Sequence, residues 1–286
     1  FRTMGWKAPK YVHTAQLMKM DGGSKRKLSK RKDPELALDF YNAEGYPVPS
    51  VLEYLMTLLN SNFEDWRLAN PTAPMGDFQF TTKKMGNSGS LFDIDKLKDV
   101  SKNTISVMSA DQVYDEVTAW AKDFDPQLYT LLTADQQKAK AIFAIGRGGA
   151  KPRKDIAIWS EVKDYVAFFY EELFTAASEY PENVSTQDAL DILTQYRSLY
   201  SPADDGETWF NKVRELGESL GFAAKPKDYK KNPDQYKGHV GDVSQVIRLA
   251  ITGRTNSPDL CSVMQILGEE VCQQRLAQAI ELLSNR

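Results

Sequence analysis

The sequence predicts a mainly α protein, with a mixed N-terminal region followed by two all-helical bundles. Three observations carry this. From Ser109 onward, apolar residues recur at helical spacing in segment after segment, beginning with Val113, Val117 and Trp120. Those segments are bounded by Gly, Pro or polar caps. The N-terminal region instead holds an irregular stretch with Asn70-Pro71, Ala73-Pro74, Gly76, Gly86 and Gly89. A chain of 286 residues is long enough for two or three domains, and we place them at 1–110, 111–185 and 186–286.

The elements are read in order. Residues 25–32 carry six cations just after the turn signal Asp21-Gly22-Gly23, which places the run on a loop. Asp33-Pro34-Glu35 offers an N-cap, a proline at N1 and an acid at N2, so a helix is predicted over 35–41, stopping at Gly45. Pro49-Ser50 opens a second helix over 51–59, with Leu52, Leu55, Leu58 and Leu59 on one face. A short strand or hairpin around Phe78-Gln79-Phe80 comes next, then a short helix over 90–97 and extended chain or loop over 99–109. Helices follow over 111–122, 134–145, 156–176, 186–200, 206–220, 242–252, 259–267 and 269–283. Ser185-Thr186-Gln187-Asp188 fits a capping box.

Composition bounds the function. A hydrophobic fraction of 42% with 26% charged residues excludes a disordered chain, a collagen-like repeat and a coiled-coil rod. With 36 Lys and Arg against 39 Asp and Glu, the net charge of −3 excludes a uniformly basic protein but not a basic patch. Residues 1–32 are such a patch, with ten cations and one acid. Cys261 and Cys272 are too few for a disulfide framework or a four-thiolate zinc site, and read as buried thiols of a reducing compartment. With only His13 and His239, a histidine metal site is not predicted. There is no apolar run of membrane-spanning length and no signal peptide, so a cytoplasmic protein without membrane or DNA partners is expected. The opening residue is Phe1 rather than Met, and the chain reads as a piece of something longer.

Three readings compete for residues 25–32: a solvated basic run, an import or heparin-type patch, and a loop whose ammonium groups meet phosphate oxygens. Lys27-Leu28-Ser29-Lys30-Arg31 resembles the second signature of class I aminoacyl-tRNA synthetases, in the form typical of glutamyl-tRNA synthetases. The approach through Pro9, Tyr11, His13, Leu17 and Asp21-Gly22 is similar to that family, although Gly23-Ser24-Lys25-Arg26 lengthens the link and predicts a longer, more mobile loop. Residues 90–97 look like the segment after the family's stem-contact helices, and residues 246–260, continued by 264–268, resemble an element of its last anticodon-binding domain. The family's first signature, His-Ile-Gly-His, is absent, and His239-Val240-Gly241-Asp242 is only a superficial near-match opening a helix. The resemblance is therefore to the C-terminal half of a bacterial-type enzyme.

That resemblance implies a stem-contact region over 1–110, two helical anticodon-binding parts, and a two-step ligase reaction in the whole enzyme. Glutamate attacks the α-phosphate of ATP, held with Mg, and pyrophosphate leaves; the terminal ribose of tRNA then takes the glutamyl group. By position in the motif, Lys27, Ser29 and Lys30 bind ATP, and Lys30 is the catalytic residue that stabilises the leaving pyrophosphate. Arg248, Ser257, Pro258 and Leu260 contact the anticodon, and Arg153, in the basic loop 147–154, reaches its third base. Without the motif, Arg248 reads as a helix-surface arginine and Pro258-Asp259-Leu260 as a helix start. The partner implied is glutamate tRNA, with the choice between glutamate tRNA alone and glutamine tRNA as a second acceptor left open by the sequence, and the protein is expected to be a monomer. This fragment alone should not aminoacylate. Competing readings are a free-standing helical RNA-binding or regulatory protein without catalysis, and a scaffold of helical bundles. A glutaminyl enzyme fits less well, since that family ends in β-barrels. The aromatic residues Trp120, Trp159, Phe168, Phe169 and Trp209 could stack on bases, but their helical spacing predicts core packing.

Overall fold

The computed structural model describes residues 1–86 and 88–285; Arg286, the end of the last predicted bundle, lies outside them. Two compact units form. Unit 1 comprises Phe1–Met108, Asp115–Pro126 and Pro152–Val162; unit 2 comprises Ser109–Tyr114, Gln127–Lys151 and Lys163–Arg286.

Unit 1 contains a small sheet. Strand β1 (Leu17–Asp21) turns at Gly22 and Gly23, both at positive φ, into antiparallel β2 (Ser24–Lys27), with Met18 opposite Lys27 and Asp21 opposite Ser24. Positive φ at both central residues is what a tight hairpin turn needs, and glycine supplies it without strain. Three of the eight residues of the basic run, Lys25, Arg26 and Lys27, are thus strand, not loop. Helices α1 (Leu38–Glu44), α2 (Val48–Leu59) and α3 (Phe63–Ala69) follow. The predicted 35–41 helix is interrupted: Pro34–Leu36 is a 3-10 turn and Ala37 is extended before α1 starts. Asp33 does not cap it, because its carboxylate is bound elsewhere. Gly45 does end α1, in the left-handed region. The buried positions of α2 are Ser50 and Tyr54, while Leu52 is exposed, so the expected leucine face is not the packed one.

No strand forms around Phe78. Its ring sits edge-on to Phe63 at 5.0 Å and beside Trp66 at 5.4 Å, a local cluster that needs no sheet. Strand β3 (Ser90–Leu91) pairs parallel with β1, replacing the first turn of the predicted 90–97 helix, whose second half, from Ile94, is helical. The cause is long-range: the Ser90 and Phe92 amides donate to the carbonyls of Gln16 and Met18. Helix α4 (Ile94–Ser106) then occupies the segment expected to be extended, capped by Asp93, which accepts from the amides of Asp95 and Lys96. Leu97, Ser101 and Ile105, four apart, form its buried stripe. The core of this unit gathers Leu28, Tyr46, Tyr54, Phe92, Leu97 and Ile158.

The remaining helices are α5 (Ala110–Phe124), α6 (Pro126–Ala134), α7 (Gln136–Ala144), α8 (Val162–Val166), α9 (Thr186–Leu199), α10 (Gly206–Ser219), α11 (Pro226–Lys231), α12 (Val240–Thr252), α13 (Leu260–Leu267) and α14 (Glu269–Ser284). The sequence reading missed α6 and α11. Residues 156–176 are not one helix: a 3-10 turn, the short α8 and a second 3-10 turn (Ala167–Phe169) succeed one another. Trp159, Val162, Val166, Phe168, Phe169 and Tyr170 are all buried, the last three in succession, more than the one stripe of an amphipathic helix can cover.

In unit 2, α12 is deeply enclosed. Val243, Val246, Ile247 and Ile251 are fully buried along it, and it packs against α9, α10 and α14. Ser185 caps α9 by accepting from the Asp188 amide. Tyr196 of α9 accepts from Trp209 Nε1 of α10 at 2.7 Å. Cys261 and Cys272 are free and buried, as expected, and burial pushes the Cys272 thiol up to about 11. Trp159, Phe168, Phe169 and Trp209 are core residues; Trp120 is half-buried and stacks on Phe124 at 5.7 Å. Among the described residues no helix is long and apolar enough to cross a membrane.

Candidate nucleic-acid interface

The basic loop of unit 1 is built around two anchors. Leu28 is 3% exposed and inserts into the core, a burial worth ~2 kcal/mol. On either side, Lys27 and Lys30 point their ammonium groups to solvent, and Ser29 is half-buried. The second anchor is Asp33, 2% exposed, just after the loop. The Arg26 guanidinium donates to both its oxygens, at 2.7 and 2.8 Å, and to Asp21 at 2.6 Å. The Ser29 amide also donates to Asp33, at 2.7 Å, and the Ser29 carbonyl accepts from Lys32 and Asp33. These bonds, Arg26 first, hold the Asp33 carboxyl well below the usual carboxylate range and the Arg26 guanidinium above its ordinary value. Lys19 pairs with the buried Glu35 beside them. The acids under the loop are therefore neutralised in place. Sequence reasoning missed Arg26 because it looked like one more cation of the run, and missed Asp33 because a cap explained it.

Unit 2 carries a separate feature, an open groove of ≈ 600 Å³. One wall comes from Asp164 and residues 177–179, the other from Leu249 and residues 253–256. Gly253 ends α12 with φ +70°, and a Cβ there would lie 2.0 Å from the Thr175 carbonyl oxygen. The backbones of the two walls meet at this point, which only glycine permits. At the rim, Arg254 donates to both oxygens of Asp164, at 2.8 and 2.6 Å, and this hydrogen bonding lowers the Asp164 pKa. Beneath, Arg275 of α14 is 3% exposed and donates to the carbonyls of Phe168 and Ile251, each at 2.8 Å. It also pairs with Glu171 and lies 3.6 Å over the Phe174 ring. Burial pulls its pKa down, and Glu171 opposes that.

Of the residues singled out from sequence, Arg248, Ser257 and Pro258 are brought together next to this groove. Arg248 Nη1 donates to the Ser257 hydroxyl, and to the Ser257 and Pro258 carbonyls at 3.3 and 3.2 Å. Arg248 is half-buried, while Ser257, Pro258 and Leu260 are buried. The arginine thus shapes the turn into α13, which Asp259 caps through the Ser262 amide. Exposed donors and acceptors nearby come from Thr255 and Asn256, which no motif flagged. Arg153 lies in unit 1, half-exposed, and forks onto Asp155 at 2.6 and 3.0 Å. His239 is a cap: its Nδ1 accepts from the Gly241 amide at 3.0 Å, and Asp242 accepts from the His239 amide at 2.7 Å. Among the described residues, no three His, Cys, Asp or Glu side chains gather as metal ligands.

Comparison with known proteins is consistent along the whole chain. The family described as "Anticodon binding domain" matches residues 112–280. A glutamate–tRNA ligase of Acetivibrio thermocellus is 48% identical over 280 residues, covering 98% of this chain and 51% of that protein. One from Clostridium beijerinckii is 46% identical over 287 residues, 99% of this chain and 52% of that protein. The chain spans about half the length of the curated relatives it matches. A solved glutamate tRNA ligase from Elizabethkingia meningosepticum shares the fold, with TM-score 0.64 and 20% identity over 98% of this chain and 53% of that one.

Proposed function

This chain belongs to the anticodon-binding domain family, and on that premise we propose that it is the tRNA-reading, loop-bearing portion of a glutamate–tRNA ligase. The observation that carries the reading is the Arg248–Ser257–Pro258 cluster beside the groove, within the segment matched by the family. Anticodon bases are unpaired, so their edges and faces are open to a protein groove. Arg248 shapes the turn, Ser257, Pro258 and Leu260 set its contour, and Arg153 on its own loop reads the third base. Arg153 is held by a fork onto Asp155 that an RNA phosphate can replace, because guanidinium forks suit carboxylate and phosphate alike.

In the whole enzyme, Lys27, Ser29 and Lys30 contact ATP, and Lys30 offsets the charge that develops on the departing pyrophosphate. The residues fit such a polyanion. Their ammonium groups are exposed, the loop backbone is pinned, and the acid beneath is already matched by Arg26. Mg would enter on the nucleotide phosphates, as it does where few protein ligands are offered. The three-part division at 110 and 185 belongs to the same proposal. So do a monomeric state, a cytoplasmic location where unpaired thiols persist, and glutamine tRNA as a second acceptor.

The test is binding of this chain to glutamate tRNA at two salt concentrations, with native and anticodon-substituted transcripts. Phosphate contacts make binding fall with salt, and base contacts make it depend on sequence. Preference for the native anticodon, lost in Arg248→Ala, is the expected result. Equal, salt-sensitive binding to all transcripts would reduce the reading to a basic patch.

A further inference from the structure

Arg275 takes no part in the sequence motif and is almost wholly buried, yet its contacts converge on both walls of the groove. Nη1 bonds the Phe168 carbonyl, at the base of the segment that supplies Asp164 and residues 177–179. The same nitrogen bonds the Ile251 carbonyl in the last turn of α12, two residues before Gly253. Nη2 pairs with Glu171, and the guanidinium plane rests on the Phe174 ring. A planar, five-donor fork can satisfy two carbonyls and a carboxylate at once; an ammonium on a flexible stem cannot hold that geometry. The walls also meet where Gly253 approaches Thr175, where Arg254 lies over the Phe168 ring, and at the exposed Arg254–Asp164 pair, and exposed pairs contribute little rigidity.

We propose that Arg275 is a positioning residue for base recognition, a buried brace that sets the spacing of the two groove walls and so the nucleobase that the groove accepts. The inference rests on the anticodon-reading role proposed above. It separates two properties that a general loss of stability would move together. Backbone phosphate binding depends on surface cations and should not notice the brace; base discrimination depends on wall spacing and should.

The experiment compares this chain with Arg275→Lys and Arg275→Met, using a glutamate-anticodon stem-loop and a scrambled stem-loop. Glu171→Gln serves as a variant that leaves both carbonyl bonds in place. Thermal unfolding confirms that each variant is folded. The expected result is that both Arg275 variants lose about tenfold of the preference for the native loop, ~1.4 kcal/mol, with unchanged affinity for the scrambled loop and an unchanged salt slope. Glu171→Gln keeps the preference. Amide exchange of residues 249–257 should rise in the Arg275 variants, which remains readable if RNA binding weakens overall. A folded Arg275→Lys or Arg275→Met with full discrimination and unchanged exchange would overturn the proposal and leave the anticodon reading intact. A wild-type chain that treats both loops alike would remove the anticodon reading itself, and the brace with it.

Discussion

Gly253 and Gly148 form a matched pair. Both lie in unit 2 with nearly the same backbone angle, φ +70° and +74°. An alanine at Gly148 meets nothing within 4 Å, so only the left-handed backbone costs, ~1 kcal/mol. An alanine at Gly253 adds a Cβ 2.0 Å from the Thr175 oxygen, where ordinary contact begins at 3.4 Å, so a wall must move by more than an ångström. Overpacking of that kind adds ~1–3 kcal/mol or more, giving ~2–5 kcal/mol in all. At ~2–4 °C per kcal/mol for a unit of this size, Gly148→Ala lowers Tm by ~3 °C and Gly253→Ala by roughly 6–15 °C. Differential scanning calorimetry of the two variants measures the difference directly. Since the backbone term cancels between them, equal Tm losses would show that the Gly253–Thr175 contact does not exist in solution.

Other perturbations probe different parts of the molecule. Tyr196→Phe strands the Trp209 Nε1–H that Tyr196 now accepts at 2.7 Å, and should cost ~1–3 kcal/mol in denaturant unfolding; a loss under ~0.5 kcal/mol would mean the indole finds another partner. Burial pushes Tyr41, Tyr46, Tyr54 and Tyr170 up to about 12, above the unfolded value. Their contribution is complete below the unfolded tyrosine pKa of about 10 and is lost as pH rises from there through about 12, so urea midpoints should fall between pH ~10 and ~12. Midpoints flat over that range would contradict their burial. Asp33→Asn removes the charge that binds Arg26 and the Ser29 amide, and should raise tryptic cleavage within 27–32 several-fold while far-UV circular dichroism stays unchanged. An unchanged cleavage rate would mean that Leu28 alone holds the loop.

The parts legible in the sequence are those whose cause is local. Helices α9, α10, α12, α13 and α14 are each marked by an apolar stripe and a capping side chain or glycine, such as Asp259 before α13 or Gly253 after α12. What escaped depends on distant partners. Strand β3 exists because the Ser90 and Phe92 amides find carbonyls just before and within β1, about seventy positions earlier. In the 156–176 segment Phe168, Phe169 and Tyr170 are buried in succession, off any single stripe, and the Phe168 carbonyl goes to Arg275, over a hundred residues away in sequence. Asp33 illustrates a local conflict: its place before Pro34 suits a cap, but the bidentate bond to Arg26 wins the carboxylate. At the candidate interface, the motif located Arg248, Ser257 and Pro258, while Arg254, Arg275 and the glycine contact became visible only once the two walls faced each other.

The two thiols give the chain a built-in chemical clock. Cys261 and Cys272 sit on α13 and α14, at 4% and 0% exposure, and burial raises both pKa values. In the native state neither offers a thiolate to an alkylating reagent. Their reaction rates therefore count the openings of unit 2, residue by residue, without any added label. The same silence leaves the surface free for a single engineered cysteine, on the basic loop or the groove rim, to carry a fluorophore that nothing else in the protein would compete for.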